Sequence, residues 1–128
     1  MRYPILIEPG DETSAWGVVV PDLPGCFSSG DTLDEAMSAA EEAAAAWIDA
    51  TLDAGGEIPS PSSAQEAREQ VGRPDWIVSF VDIDPALLDD TIERVNISIP
   101  RRVLLRLDAK ARAVGETRSS YIARMSVG

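Results

Sequence analysis

The run Arg94-Val95-Asn96-Ile97-Ser98-Ile99-Pro100 alternates polar and apolar side chains without a break, and it constrains the fold more than any other stretch. A period of two sends Val95, Ile97 and Ile99 to one side of a strand, and Arg94, Asn96 and Ser98 to the other. Pro100 ends the run and suits the opening of a helix. From Arg101 to Val114, the residues Val103, Leu104, Leu107, Ala111 and Val114 share one helical face, and Gly115 stops the helix. Thr117 is a good N-cap for a second helix with Tyr121, Ile122 and Met125 inward. One strand and two helices in residues 94–128 leave an unpaired strand and a core too small to stand alone. Two copies remedy both defects when their strands pair antiparallel and their helices interlock, so a homodimer or a higher even oligomer is expected.

Charge is segregated in the same place. The net charge is −11, yet residues 1–93 carry 3 basic and 20 acidic side chains, a net −17, while residues 94–128 carry 8 basic and 2 acidic ones, a net +6. A basic stretch alone also fits a solvated helix face. Joined to an alternating strand and two capped helices, it points to nucleic acid. A two-stranded ribbon fits the major groove of double-stranded DNA, so Arg94, Asn96 and Ser98 are the candidate base readers. The free N–H groups at the start of the second helix, with Thr117, Arg118 and Ser119, are placed to hold a backbone phosphate.

Across residues 94–126 this pattern resembles the ribbon-helix-helix family of bacterial repressors. The polar triplet at alternate strand positions, the turn Gly115-Glu116-Thr117-Arg118-Ser119 and the following Tyr121-Ile122 carry the likeness. The second helix is short for that family, which would weaken the dimer.

Residues 1–84 read as a separate α+β domain, joined by an acidic linker, 85–93, to the module 94–128. Tyr3 to Glu8 and Ala15 to Val20 form a hairpin around the turn Pro9-Gly10-Asp11. Pro21-Asp22-Leu23-Pro24-Gly25 interrupts the sheet, and Cys26 to Ser29 is a short third strand. Thr32 and Glu35 have capping-box spacing ahead of a helix that runs to about Ala54 before Gly55-Gly56. Its apolar face is Leu33, Ala36, Met37, Ala40, Ala44, Trp47, Ile48 and Leu52. Ser63 and Glu66 repeat the capping spacing before a short helix. Trp76 to Ile83 is the last strand, with Trp76, Val78 and Phe80 on one face. The expected architecture is a small antiparallel sheet with one covering helix.

The run from Trp16-Gly17-Val18 through Pro21-Asp22-Leu23-Pro24-Gly25-Cys26, followed by Ser29-Gly30-Asp31-Thr32 and Glu35-Ala36, resembles the signature of the HicB antitoxin family over roughly residues 3–83. That resemblance implies a partial ribonuclease-H-like domain without the enzyme's catalytic carboxylates. It implies a partner, a small RNA-cleaving toxin of the HicA type, and autoregulation of a shared operon through operator DNA. A −17 domain complements a basic RNA-cleaving protein, although charge alone does not name that partner. The alternative is a ribbon-helix-helix repressor whose N-terminal domain senses a small ligand.

Catalysis is not expected. Histidine is absent, so Cys26 lacks its ordinary activating base and reads as a buried, inert thiol. Glu8, Asp22 and Asp31 are the candidate carboxylates for a nuclease-like magnesium site, but Asp22 and Asp31 sit in turn contexts that favour aspartate anyway. Gly25 and Gly30 form no phosphate-cradling spacing. No metal and no cofactor is expected. A single cysteine, the lack of a long apolar run and a strand-like start at Met1-Arg2 suit a cytoplasmic protein that neither enters a membrane nor carries a signal peptide.

Overall fold

A computed structural model of the chain describes residues 1–89 and 93–127. The chain divides into two compact units, Met1–Asp90 and Thr91–Gly128. Unit 1 holds strands β1 (Arg2–Glu8), β2 (Trp16–Val19), β3 (Phe27–Gly30) and β4 (Ile77–Asp82), and helices α1 (Leu33–Asp53) and α2 (Ala64–Val71). A single 3-10 turn, Pro85–Leu88, follows β4. The sheet is antiparallel with strand order β3-β2-β1-β4, so β3 and β4 form its two edges.

β1 is interior to the sheet, and its residues Tyr3 to Ile7 are all buried. Tyr3, Ile5 and Ile7 face the cluster that contains Val18, Val20, Val81 and the α1 residues Ala36, Ala40, Ala44 and Ile48. Pro4 and Leu6 point the other way and are also fully buried. α2 packs against β1 and β4, with Ala67 wholly buried. The sheet is therefore covered on both faces near β1, by α1 on one and by the short helix expected after Ser63 on the other. An unbroken apolar run such as Tyr3-Pro4-Ile5-Leu6-Ile7 is what two-sided burial requires of a strand. Pro4 is tolerated in this interior strand because β2 pairs only with Leu6 to Glu8, so at Pro4 the strand has a neighbour on one side alone.

α1 begins as its caps dictate. Thr32 Oγ1 accepts the Glu35 N–H, and the Glu35 carboxylate accepts the Asp31 N–H. The alanine stripe lets the helix lie very close to β3: a Cβ added to Gly30 would stand 2.6 Å from the Ala36 nitrogen. Leu33, expected inward, lies in the first turn and is exposed, while Met37, Trp47 and Leu52 pack partly buried against the cluster. Val81 of β4, and Ile83 just beyond it, enter the α1 cluster, and Val78 and Phe80 lie on the opposite face beside Leu6 and Pro4. Residues 85–88, read as linker, form the 3-10 turn, whose Leu87 packs on the core.

Tyr3 gives the core an alkaline limit. Its hydroxyl donates to the Pro59 carbonyl, and burial, then the negative charge of Asp22, hold the phenol above its ordinary value of 10.0. A group whose pKa is raised on folding contributes fully below its unfolded value, and that contribution is lost as pH rises through the folded one. Thermal melts are expected to show wild-type stability falling above about pH 10, with Tyr3→Phe falling less steeply. Equal alkaline slopes for the two would show that the phenol has no part in the limit.

Unit 2 contains α3 (Arg101–Ala113) and α4 (Arg118–Ser126), packed on each other across a turn where Gly115 adopts φ 71°. That left-handed conformation costs glycine no Cβ clash, which is why the helix ends there.

Candidate functional site

The signature loop between β2 and β3 is a structural clasp. Leu23 is wholly buried in the core. The Asp22 carboxylate accepts from the Ser62 N–H at 2.8 Å and the Ser62 hydroxyl at 2.6 Å. The Trp47 indole N–H donates to the Pro24 carbonyl at 3.0 Å, tying the loop to α1. Cys26 is buried, and burial pushes its thiol above the ordinary value, away from the reactive thiolate. Asp22 thus holds a loop, and among the described residues no group of three or more Cys, Asp or Glu side chains is arranged to hold a metal ion.

The sheet face opposite α1 is bare over β2 and β3. The pairs Gly17 with Ser29 and Val19 with Phe27 lie side by side, and Glu8 stands across from Gly17. Together with Trp76 they line an open hollow of about 460 Å³. Phe27 is 72% exposed, although it is the largest side chain of its strand. The strand's period of two carried this signal: with Cys26 inward, Phe27 must point out.

Unit 2 departs from the expected strand. Residues 93–100 form neither helix nor strand in the single chain. A strand is held by a neighbour's N–H and C=O groups, and this unit offers its own segment no such neighbour. Val95 and Ile97, expected inward, are 69% and 62% exposed, and Val114 and Met125 are exposed as well. Asn96, Arg118 and Ser119 nevertheless line one hollow of about 350 Å³ with Ile99, Leu104 and Ile122. Arg94 and Ser98 are exposed and outside that group.

Thr117 caps α4 as expected, its hydroxyl accepting the Ser120 N–H at 3.2 Å. The Arg118 side chain also joins the two helices. Its Nε and Nη2 donate to Asp108 Oδ1 and Oδ2, both at 2.9 Å, forming a bidentate strut between α3 and α4. The hydrogen bond from Arg118 holds the Asp108 carboxyl below its usual range, and Asp108 in turn raises the guanidinium. Arg124 is likewise engaged, with Nε 2.7 Å from Glu116 Oε1 and its guanidinium over the Tyr121 ring. The signal for both pairs was present in the sequence: Asp108 and Glu116 are the only two acids among the eight bases of residues 94–128. Arg94, Arg101, Arg102, Arg106 and Lys110 are exposed and form no ion pair among the described residues.

A clasped α+β domain of strongly acidic composition, followed by a basic helical unit, defines a binding protein rather than a catalyst. Residues 3–126 match the family described as HicB_like antitoxin of bacterial toxin-antitoxin system. The chain is 41% identical over 108 residues to an uncharacterized 14.9 kDa protein from the rep-hol intergenic region of Haemophilus phage HP1, covering 84% of this chain and 80% of that one. The crystal structure of the Burkholderia pseudomallei antitoxin HicB is similar with TM-score 0.67 and 35% identity, over 98% of this chain and 93% of that chain. A chain from a HicA3 and HicB3 toxin-antitoxin complex is similar with TM-score 0.53 and 34% identity, over 66% of this chain and 100% of that chain. The protein belongs to the HicB-like antitoxin family. It is an antitoxin and not an enzyme. Among the described residues no helix is long and apolar enough to cross a membrane.

Proposed function

We propose that this antitoxin neutralises a small RNA-cleaving toxin of the HicA type through unit 1 and represses its own operon through unit 2, acting in the cytoplasm as a homodimer or a higher even oligomer. The observation that carries the toxin half is the likeness to the HicA3–HicB3 complex, where two thirds of this chain suffices to match all of the related one. The acidic balance of residues 1–93 supports it, because an RNA-cleaving partner has to be attracted to a polyanion and is drawn to carboxylates in the same way.

The DNA half is supported by the exposed cations Arg94, Arg101, Arg102, Arg106 and Lys110 and by the apolar side chains Val95 and Ile97 that the single chain leaves in water. Pairing the segments 94–99 of two copies would satisfy their backbone groups, bury those side chains, and place Arg94, Asn96 and Ser98 of both copies on one ribbon face. The N–H groups of Thr117, Arg118 and Ser119 at the start of α4 would hold a phosphate, the Arg118 side chain being committed to Asp108. Co-purification from the native operon tests the whole reading. A small basic protein in the complex, and retention of operator DNA over scrambled duplex, are the expected results. An antitoxin that elutes alone from an operon expressing both genes would sink the toxin assignment, and equal affinity for both duplexes would sink the repressor assignment.

A further inference from the structure

The neutralisation reading leaves open where on unit 1 the toxin seats. α2 covers the outer sheet face over β1, burying Pro4 and Leu6, and the same face is bare over β2 and β3. Gly17 contributes no side chain to the middle of this bare area, so the floor is low, and Phe27 and Trp76 stand among its lining residues. An aromatic ring that is 72% exposed beside an apolar hollow is an anchor of the type that dominates protein interfaces, where a few aromatic side chains in a pocket carry most of the affinity.

The chemistry of the surroundings selects the occupant. Glu8 is the one carboxylate lining the hollow and the Arg73 guanidinium lies 5.6 Å from the centroid of the Trp76 ring, while the first 93 residues as a whole hold only Arg2, Arg68 and Arg73 against 20 acids. A second copy of unit 1 would bring like charge to like charge, which opposes self-association through this face. A partner fits when it offers an apolar side chain for the hollow and basic side chains around it. Accepting the toxin-binding reading above, on which this step rests, we infer that the HicA-type toxin docks on the bare half of the sheet and inserts an apolar side chain between Phe27 and Trp76, over Gly17, with a cation facing Glu8 and its basic surface drawn by the net negative charge of the unit.

Two variants of the full-length chain test the placement from opposite directions. Phe27→Asp puts a charge at the hollow, and Gly17→Val fills its floor. The strand has room for the second change: a Cβ at Gly17 first meets Glu8 Oε2 at 3.3 Å, the far end of a flexible side chain. Leu88→Asp serves as the reference, since Leu88 is an exposed apolar residue of the same unit that does not line the hollow. Affinity would be measured by calorimetry against the small toxin recovered in the co-purification described above, rendered inactive, with thermal melts and operator binding confirming that each variant is folded. Phe27→Asp is expected to weaken the complex about 100-fold and Gly17→Val at least tenfold, while Leu88→Asp binds like wild type. Folded Phe27→Asp and Gly17→Val chains with wild-type toxin affinity overturn the placement and leave neutralisation standing. Wild-type chain that fails to bind the toxin overturns neutralisation itself. Variants that lose self-association but keep toxin affinity also overturn the placement, making this face a contact between copies.

Discussion

Ile97→Asp in the full-length chain is expected to yield a monomer that no longer binds operator DNA. Ile97 is the middle of the alternating run and 62% exposed in the single chain, so the substitution harms nothing in the isolated subunit. In the proposed ribbon the same position lies at the seam between two copies. Antiparallel pairing would bring two carboxylates into a dry interface, where each costs several kcal/mol unless neutralised. An operator loss of about 1,000-fold or more, roughly 4 kcal/mol, should follow because each half-site alone holds weakly. Asn96→Ala is the informative companion. Its side chain belongs to the opposite face, so the dimer should persist while specific affinity falls by roughly 1–3 kcal/mol and discrimination relaxes at one position per half-site. Sedimentation and operator titration across a salt series decide both. An Ile97→Asp chain that stays dimeric and binds operator would show that residues 94–99 are not the seam.

The second large effect is expected inside unit 1. Ala40 is 1% exposed in the stripe Ala36, Ala40, Ala44 that brings α1 down onto β2 and β3. The same closeness shows at Gly30, where even a methyl would meet the Ala36 backbone. Ala40→Leu adds three carbons where the interior has no room, so the helix must tilt away or the side chain must leave its rotamer. Overpacking of this kind costs about 3 kcal/mol, which for a domain of this size lowers the melting temperature by on the order of 10–20 °C. Toxin binding should fall in step with the folded fraction, and operator binding should fall less, because unit 2 has its own helices. A melting temperature within roughly 2–3 °C of wild type, far below the shift that such overpacking implies, would mean that the stripe is loosely packed.

The legible parts of the fold were those written in local chemistry. Thr32, Ser63 and Thr117 each accept the N–H three residues on, as their spacing implied, and Gly55, Gly72 and Gly115 end helices with positive φ. The short helix after Ser63 was legible from its cap, and its packing over the second sheet face accounts for the unbroken run at β1, where all of Tyr3 to Ile7 is buried. Asp22 offered several roles to sequence reasoning, and only the fold brings Ser62, forty residues later, within hydrogen-bonding reach. Arg118 was assigned by its place at a helix start. The sequence limits its partner to the two acids of residues 94–128, and only the fold selects Asp108, ten residues back on another helix. The run 94–99 is different in kind: its alternation describes a structure that one copy cannot make, so the single chain leaves it without a ladder.

The two outer strands of unit 1 carry a consequence for handling and for life at varying acidity. β3 and β4 are the edge strands, with no further strand paired to either among the described residues, and such edges invite growth by addition of further chains. β3 is only Phe27 to Gly30, and neither edge is capped by a third element across its outer side in the strand order. Near neutrality the net −17 of residues 1–93 opposes such growth between first units by mutual repulsion. Acidification towards the isoelectric point of about 4.2 removes that repulsion while leaving the edges and Phe27 intact. Turbidity should therefore rise steeply there and be suppressed by salt-independent means, such as a lysine placed within β3, if edge pairing is the cause. The carboxylates around this small sheet act as a colloidal guard, and a mutation that neutralises several of them would be expected to show first as precipitation, before any change in what the protein binds.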